Sequence, residues 1–196
     1  MLDLHRDLFL GLEKVVADFF SPMPFTPNQY SFSSVIFAFI CFYFLTKQDL
    51  PWAIIFFLLA AFMDFVDGAV ARRKNLATKK GAYLDTVFDR YVEAVLLFGF
   101  LFLLLPQVLF FPNYIWIFLI LFGSMMTTYA KSAAKEKELT AKELKGGLMS
   151  RGERSIFYLL AMAIGIFCAE GMVWMLIIMA ILTNLTALQR IRSAIK

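Results

Sequence analysis

The 196-residue sequence contains few of the side chains that carry most enzyme chemistry, with two cysteines and one histidine. Cys41 and Cys168 stand alone in apolar segments, so neither a disulfide framework nor a thiolate metal site is expected. His5 lies in a segment predicted to be at the surface, which argues against Ser-His and His-metal chemistries. The sequence also has no internal repeat or low-complexity segment.

Charged residues are scarce as well, at 17% of the chain, whereas 61% of residues are hydrophobic and 23 are phenylalanine. This composition, with a mean hydropathy of +0.73, exceeds that of soluble domains. The sequence therefore predicts an all-α integral membrane protein. Six apolar runs are close to or above the length of a membrane-spanning helix, at about 30–45, 52–71, 82–105, 115–130, 156–169 and 172–188.

Basic residues are distributed unevenly between the two sides of these six predicted transmembrane helices. All of the 19 lysines and arginines except Lys47 and Arg90 fall in the terminal segments or in the loops after the second and fourth spans. The positive-inside rule then predicts that both termini and these loops are cytoplasmic. The net charge of +4 accordingly indicates a basic membrane face, and no nucleic-acid partner is expected.

Residues 1–25 are predicted to form a juxtamembrane amphipathic helix, and residues 26–196 a single six-helix domain. Asp3, Arg6 and Asp7 interrupt any apolar core, so the first segment does not resemble a cleavable signal peptide. The motif 26–28, Thr-Pro-Asn, is expected to open the first span. Apolar residues at helical spacing predict an interfacial helix on the cytoplasmic surface: Leu4, Leu8, Leu12, Val15 and Phe19.

Four aspartates lie in the second and third predicted spans, where a charged side chain costs about 2.5–3.5 kcal/mol on insertion scales. Such residues persist where they face a cavity or a bundle interior. Residues three or four apart share a helix face, and the short basic turn 73–80 allows these two helices to run antiparallel with their acidic faces opposed. The carboxylates expected to converge near the cytoplasmic surface are Asp64, Asp67, Asp85 and Asp89.

Carboxylates without imidazole or thiolate partners favour magnesium, manganese or calcium. Four of them suit two ions a few ångströms apart, which clamp the attacking and leaving oxygens of a displacement at phosphorus. Ion pairs with Arg72 or Arg90 are a structural alternative, and Gly68 and Gly81 are also compatible with close helix packing. A cation transporter is a second alternative, disfavoured because one helix pair supplies every carboxylate without a C-terminal counterpart.

The four aspartates belong to a longer pattern: Asp64-x-x-Asp67-Gly68-x-x-Ala71-Arg72, then residues 73–80, then Gly81-x-x-x-Asp85-x-x-x-Asp89. This pattern resembles the signature of the CDP-alcohol phosphotransferase family at every fixed position. The six-helix pattern with its amphipathic helix is similar to the family over nearly the whole chain. This resemblance implies a membrane enzyme that moves a substituted phosphate from a CDP-linked donor, usually a lipid, to an alcohol and releases CMP. It also implies a homodimer.

Carried over residue by residue, the resemblance implies two bound Mg²⁺ or Mn²⁺ ions. Asp64, Asp67 and Asp85 would hold one ion, and Asp67, Asp85 and Asp89 the second. Asp89 would also be the general base that takes the proton of the acceptor hydroxyl. Arg72 would donate to a diphosphate oxygen. The implied pocket for the cytidine nucleotide comprises Asp67, Gly68, Ala71, Arg72, Gly81 and Asp85.

Three later stretches, 128–131, 151–154 and 189–190, resemble the family branch that uses inositol phosphate as acceptor. They would form a basic cup that selects a phosphorylated alcohol, with inositol 1-phosphate as acceptor and a CDP-diacylglycerol or CDP-archaeol type lipid as donor. Open alternatives are a soluble CDP-inositol donor, glycerol phosphate or serine as acceptor, and basic residues that contact only lipid headgroups. The implied acceptor-phosphate residues are Thr128, Lys131, Arg151, Arg154 and Arg190.

Overall fold

The computed structural model describes residues 6–139 and 147–195, without the side chains of residues 6–10. The predictions for His5, Leu4 and the end of the charged 135–145 segment lie outside these residues. The all-α prediction is confirmed. The described residues form seven helices: α1 (Arg6–Phe20), α2 (Pro27–Thr46), α3 (Leu50–Arg73), α4 (Lys79–Phe100), α5 (Asn113–Glu136), α6 (Arg151–Phe167) and α7 (Ala169–Ile195).

Four of these helices, α2, α3, α5 and α7, are long and apolar enough to cross a membrane. Between 28% and 50% of their most apolar windows is buried inside the protein, and outward side chains such as Phe32, Phe39 and Phe118 are exposed. A bilayer covers such a surface favourably, and the chain is a multi-pass membrane protein. Because α4 carries four charged residues at 85–93 and α6 has 17 residues, the predicted number of six spans stays a prediction.

Local sequence explains where the helices that border the site begin. A capping box at Thr26 opens α2, as the 26–28 motif predicted. The hydroxyl of Thr78 caps α4 by accepting from the amide of Gly81 at 3.0 Å. Ser150 opens α6, where its amide donates to the side chain of Glu153 at 2.6 Å. These caps satisfy backbone amides that helix termini leave without intrahelical partners.

Helix α4 ends at Phe100, whereas the apolar run predicted a span to residue 105. Beyond that end, the side chain of Gln48 donates to the carbonyl oxygen of Phe102 at 2.6 Å and accepts from the amide of Leu104 at 2.9 Å. The turn between α2 and α3 thus supplies partners for backbone groups that a longer helix would pair internally. A local hydropathy pattern cannot reveal this tertiary contact between Gln48 and residues 102 and 104.

The helices pack so that four of them surround one end of the bundle. α2 packs against both α3 and α4, α5 packs against α7, and α6 packs against α3 and α7. The main core includes Phe57, Leu96, Tyr158 and Leu176, each at most 4% exposed. α1 packs on α3 beside a second, smaller core. Residues of α2, α3, α4 and α6 line a common cavity at the acidic ends of α3 and α4.

Candidate active site

Three of the four predicted carboxylates converge between α3 and α4. One oxygen from each of Asp64, Asp67 and Asp85 lies within 4.8 Å of the other two. Asp67 is 6% exposed, and one of its oxygens accepts a hydrogen bond from the hydroxyl of Ser31 on α2. Carboxylate oxygens at this spacing, without nitrogen or sulfur neighbours in the group, fit a hard divalent cation such as Mg²⁺ or Mn²⁺.

Asp89 joins this group through an arginine of α6. The Nη2 atom of Arg151 lies 2.8 Å from Oδ1 of Asp64 and also pairs with Asp89. The Asp89 side chain is 10% exposed and follows Asp85 by one turn of α4. Asp89 therefore lies at the border of the carboxylate group, beside a guanidinium that balances part of its negative charge.

A cavity of about 350 Å³, called here the first cavity, borders the carboxylates. A Cβ atom at Gly68 would lie 3.3 Å from the two terminal nitrogens of Arg72, so glycine leaves room for the guanidinium across the surface of α3. All six residues that the family resemblance assigns to the nucleotide line this cavity: Asp67, Gly68, Ala71, Arg72, Gly81 and Asp85.

A second cavity of about 290 Å³ also borders the carboxylates. Its polar lining includes Asp64, Asp89 and Arg151, and its apolar lining includes Phe57 and Val92. The two cavities share no lining residue. Asp67 and Asp85 line the first cavity, whereas Asp64 and Asp89 line the second. The carboxylates therefore border two separate cavities.

Arg154, a predicted acceptor ligand, is buried behind this site. Its guanidinium donates to the carboxylate of Glu93 at 2.6 and 3.2 Å, and the hydroxyl of Tyr158 donates to the same carboxylate at 2.9 Å. Arg90 pairs with Glu93 at 2.7 Å. Arg154 is 2% exposed and lines neither cavity, and its charge is balanced by Glu93.

The other predicted acceptor residues lie on α5 and α7. Nη1 of Arg190 donates to the carbonyl oxygen of Thr127 at 3.0 Å and so links α7 to α5. The hydroxyl of Thr128 donates within its own helix at 3.4 Å. Neither these side chains nor Lys131 lines either of the two cavities beside the carboxylates. Of the predicted basic cup, Arg151 is the residue that lines one of them, the second cavity. Their contact with an acceptor stays a prediction.

Helices α1 and α2 contribute residues to the site that were not predicted from the sequence. Asn28 and Ser31 line the first cavity, and Ser34 lines the second. Their spacing of three residues forms a polar stripe on an apolar helix, which was the available signal. Glu13 of α1 was also missed, although its carboxylate lies 2.5 Å from Nε of Arg72. No local pattern marks Glu13 among the other charges of α1.

Comparison with known proteins places the site in context. A model of the CDP-alcohol phosphatidyltransferase family matches residues 25–187. The chain is 35% identical over 128 residues to the bifunctional IPC transferase and DIPP synthase of Aquifex aeolicus, across 63% of this chain and 28% of that relative. It is 31% identical over 179 residues to the archaetidylinositol phosphate synthase of Pyrococcus horikoshii, across 87% of this chain and 84% of that protein.

Solved structures show the same fold. The phosphatidylinositol phosphate synthase of Mycobacterium tuberculosis with CDP-DAG bound matches with a TM-score of 0.81 at 20% identity, across 93% of this chain and 92% of the other. A structure of the same enzyme with manganese and citrate matches with a TM-score of 0.78 at 23% identity, across 93% and 88%. The similarity therefore extends over nearly all of the chain.

Proposed function

Because the chain belongs to the CDP-alcohol phosphatidyltransferase family, we propose that it transfers a substituted phosphate from a CDP-linked lipid to a polar alcohol and releases CMP. One observation carries this proposal: the carboxylates border two cavities with no common lining residue, one lined by the six signature residues and one that contains Arg151. In an in-line displacement, the attacking and leaving oxygens lie on opposite sides of the phosphorus. Separate cavities for donor and acceptor that border the same carboxylates are compatible with that geometry.

The CDP group of the donor occupies the first cavity. The small side chains of Gly68, Ala71 and Gly81 leave space for the nucleotide, and Arg72 donates to the diphosphate. The donor is a CDP-diacylglycerol or CDP-archaeol type lipid, whose chains extend along the apolar surface of the bundle. A solved relative of the same fold holds CDP-DAG, which supports this choice of donor class.

The carboxylates would hold two Mg²⁺ or Mn²⁺ ions, one on Asp64, Asp67 and Asp85 and the second on Asp67, Asp85 and Asp89. When bound, such ions neutralise charge on the phosphate oxygens and on the departing CMP. Asp89 takes the proton of the acceptor hydroxyl while that oxygen bonds to the donor phosphorus and the bond to CMP breaks. Its position at the border of the second cavity supports this role.

The acceptor is inositol 1-phosphate, and it binds in the second cavity. Arg151 lines this cavity next to Asp89 and has the planar donor set that recognises a phosphate. Thr128, Lys131 and Arg190 of α5 and α7 are proposed as further contacts of the acceptor phosphate, whereas Arg154 supports the site through Glu93. The name of the Pyrococcus relative, an archaetidylinositol phosphate synthase, favours an inositol-containing product over glycerol phosphate, serine or ion transport.

The arrangement of the helices in the membrane is a further part of the proposal. We propose six transmembrane helices, with α1 at the cytoplasmic surface and both termini and the site on the cytoplasmic side. The exposed Leu12, Val15 and Phe19 on α1 support contact with the bilayer. We also propose a homodimer formed through membrane helices.

The test is CMP release by purified protein with Mg²⁺ or Mn²⁺ and a CDP-linked lipid, comparing inositol 1-phosphate, inositol, glycerol 3-phosphate and serine. We expect release with inositol 1-phosphate and none from Asp89→Asn. Release with a different alcohol would overturn the acceptor assignment alone. Release only from soluble CDP-inositol would overturn the assignment of a lipid donor. If no CDP-linked donor gives CMP, the proposed transferase activity is wrong.

A further inference from the structure

Two ion pairs connect α1 to the end of α3, and they differ in what lies beyond them. Oε1 of Glu13 is 2.5 Å from Nε of Arg72, and Oδ1 of Asp18 is 2.9 Å from Nε of Arg73. Of these two arginines, Arg72 lines the first cavity, whereas Arg73 does not. Glu13 is therefore in contact with a residue of the nucleotide site, and Asp18 provides a matched pair outside that site.

Glu13 contacts the Nε edge of the guanidinium, which leaves the two terminal nitrogens of Arg72 on the side of Gly68. Both terminal nitrogens lie 3.3 Å from the position that a Cβ atom would take at Gly68. The two terminal nitrogens form one of the donor pairs that an arginine can present to two phosphate oxygens in a bidentate contact. The ion pair thus orients the guanidinium without using the donors that face the cavity.

The backbone of α1 is held in place beside this contact. Val16 and Ala17 are 8% and 4% exposed and belong to one buried cluster with Val66 and Val70 of α3. They follow Glu13 by three and four residues, so all three share one face of α1. The packing of α1 on α3 therefore positions the Glu13 carboxylate against Arg72.

We propose that Glu13 is a positioning residue for the CDP-linked donor, holding Arg72 with its terminal nitrogens toward the diphosphate. This inference rests on the proposed function. An exposed arginine side chain loses rotamer freedom when it binds a ligand, and prior orientation reduces that loss. Because the side chains of Arg72 and Glu13 are 58% and 23% exposed, the pair contributes little to folding stability. Its removal alters donor binding and leaves the fold intact.

The test uses Glu13→Ala, Glu13→Gln and the matched control Asp18→Ala in detergent-purified protein. Calorimetry measures the Kd for CDP, and steady-state assays measure kcat and the KM values for the lipid donor and the acceptor. We expect Glu13→Ala to raise the Kd for CDP and the donor KM by about tenfold, the effect of weakening one charge-assisted contact. The Gln variant retains an acceptor oxygen and should recover most of the affinity.

Three results would overturn the inference. The first is that Glu13→Ala binds CDP as tightly as the parent, or more tightly because a negative charge is gone. The second is that Asp18→Ala weakens CDP binding by the same factor, which would assign the effect to general docking of α1. The third is that Glu13→Ala weakens CDP binding by the same factor when Arg72 is already replaced by alanine. Failure of the parent protein to release CMP from any CDP-linked donor would instead overturn the proposed function. The expected kcat, acceptor KM and thermal midpoint of Glu13→Ala match those of the parent.

Discussion

Arg154 donates to both carboxylate oxygens of Glu93, from Nε at 2.6 Å and from Nη2 at 3.2 Å, and so joins α6 to α4. The two side chains are 3% and 8% exposed. Glu93 follows Asp89 by one turn of α4, and Arg154 follows Arg151 by three residues of α6. The buried pair therefore sets the spacing of α4 and α6 where Asp89 meets Arg151.

Replacement of Glu93 by alanine should destabilise the protein by about 3–5 kcal/mol, because it leaves the buried charge of Arg154 without its partner. Thermal unfolding in detergent measures the effect as a lower midpoint. The control is Glu136→Ala, which breaks a surface pair with Lys137 whose side chains are 72% and 69% exposed. Equal midpoints for the two variants would contradict the importance of the buried pair.

Ser31→Ala should weaken Mn²⁺ binding, because the hydroxyl that orients Asp67 is removed while the carboxylates remain. Loss of such an outer partner typically costs about 10–100-fold in metal affinity. Titration followed by electron paramagnetic resonance measures free Mn²⁺ directly and does not depend on turnover. Ser33→Ala is the matched control, since the Ser33 hydroxyl donates to a backbone oxygen of its own helix. If Ser31→Ala binds Mn²⁺ with the affinity of the parent, the Ser31 hydroxyl does not orient Asp67 for metal binding.

Gly68→Ala should raise the KM for the CDP-linked donor with little change in thermal stability. The added Cβ atom lies 3.3 Å from the terminal nitrogens of Arg72, and this flexible side chain can move by a few tenths of an ångström. The movement displaces the donors that face the first cavity. Gly11→Ala is the control, because nothing lies within 4 Å of its new Cβ atom. A donor KM equal to that of the parent would show that the cavity tolerates the displacement.

Gly123→Ala should destabilise the packing of α5 on α7. A Cβ atom there would lie 2.9 Å from the backbone nitrogen of Asn184, and backbone cannot rotate away as a side chain can. Overpacking of this kind costs about 1–3 kcal/mol. Gly99→Ala, whose nearest atoms belong to the side chain of Leu45, should lower the unfolding midpoint less. The reverse order of the two midpoints would contradict this account.

Sequence patterns predicted the acidic half of the site because the relevant spacing is local. Aspartates three or four residues apart share a helix face whatever the surrounding fold, and this placed Asp64 with Asp67 on α3 and Asp85 with Asp89 on α4. The capping box at Thr26 was predictable for the same reason. The basic cup required contacts among three segments that are distant in the sequence. Of its predicted residues, only Arg151 lines the second cavity.

Composition, helix periodicity and signature spacing by themselves determined that this is a helical membrane protein with a cluster of carboxylates. These properties depend on hydropathy and on the helical repeat, which are local to the chain. Only the tertiary structure decided that Ser31 orients Asp67, that Glu13 holds Arg72, that Glu93 takes up the charge of Arg154, and that two cavities meet at the carboxylates. Such contacts join residues far apart in sequence, and helix packing determines which of them lie close together.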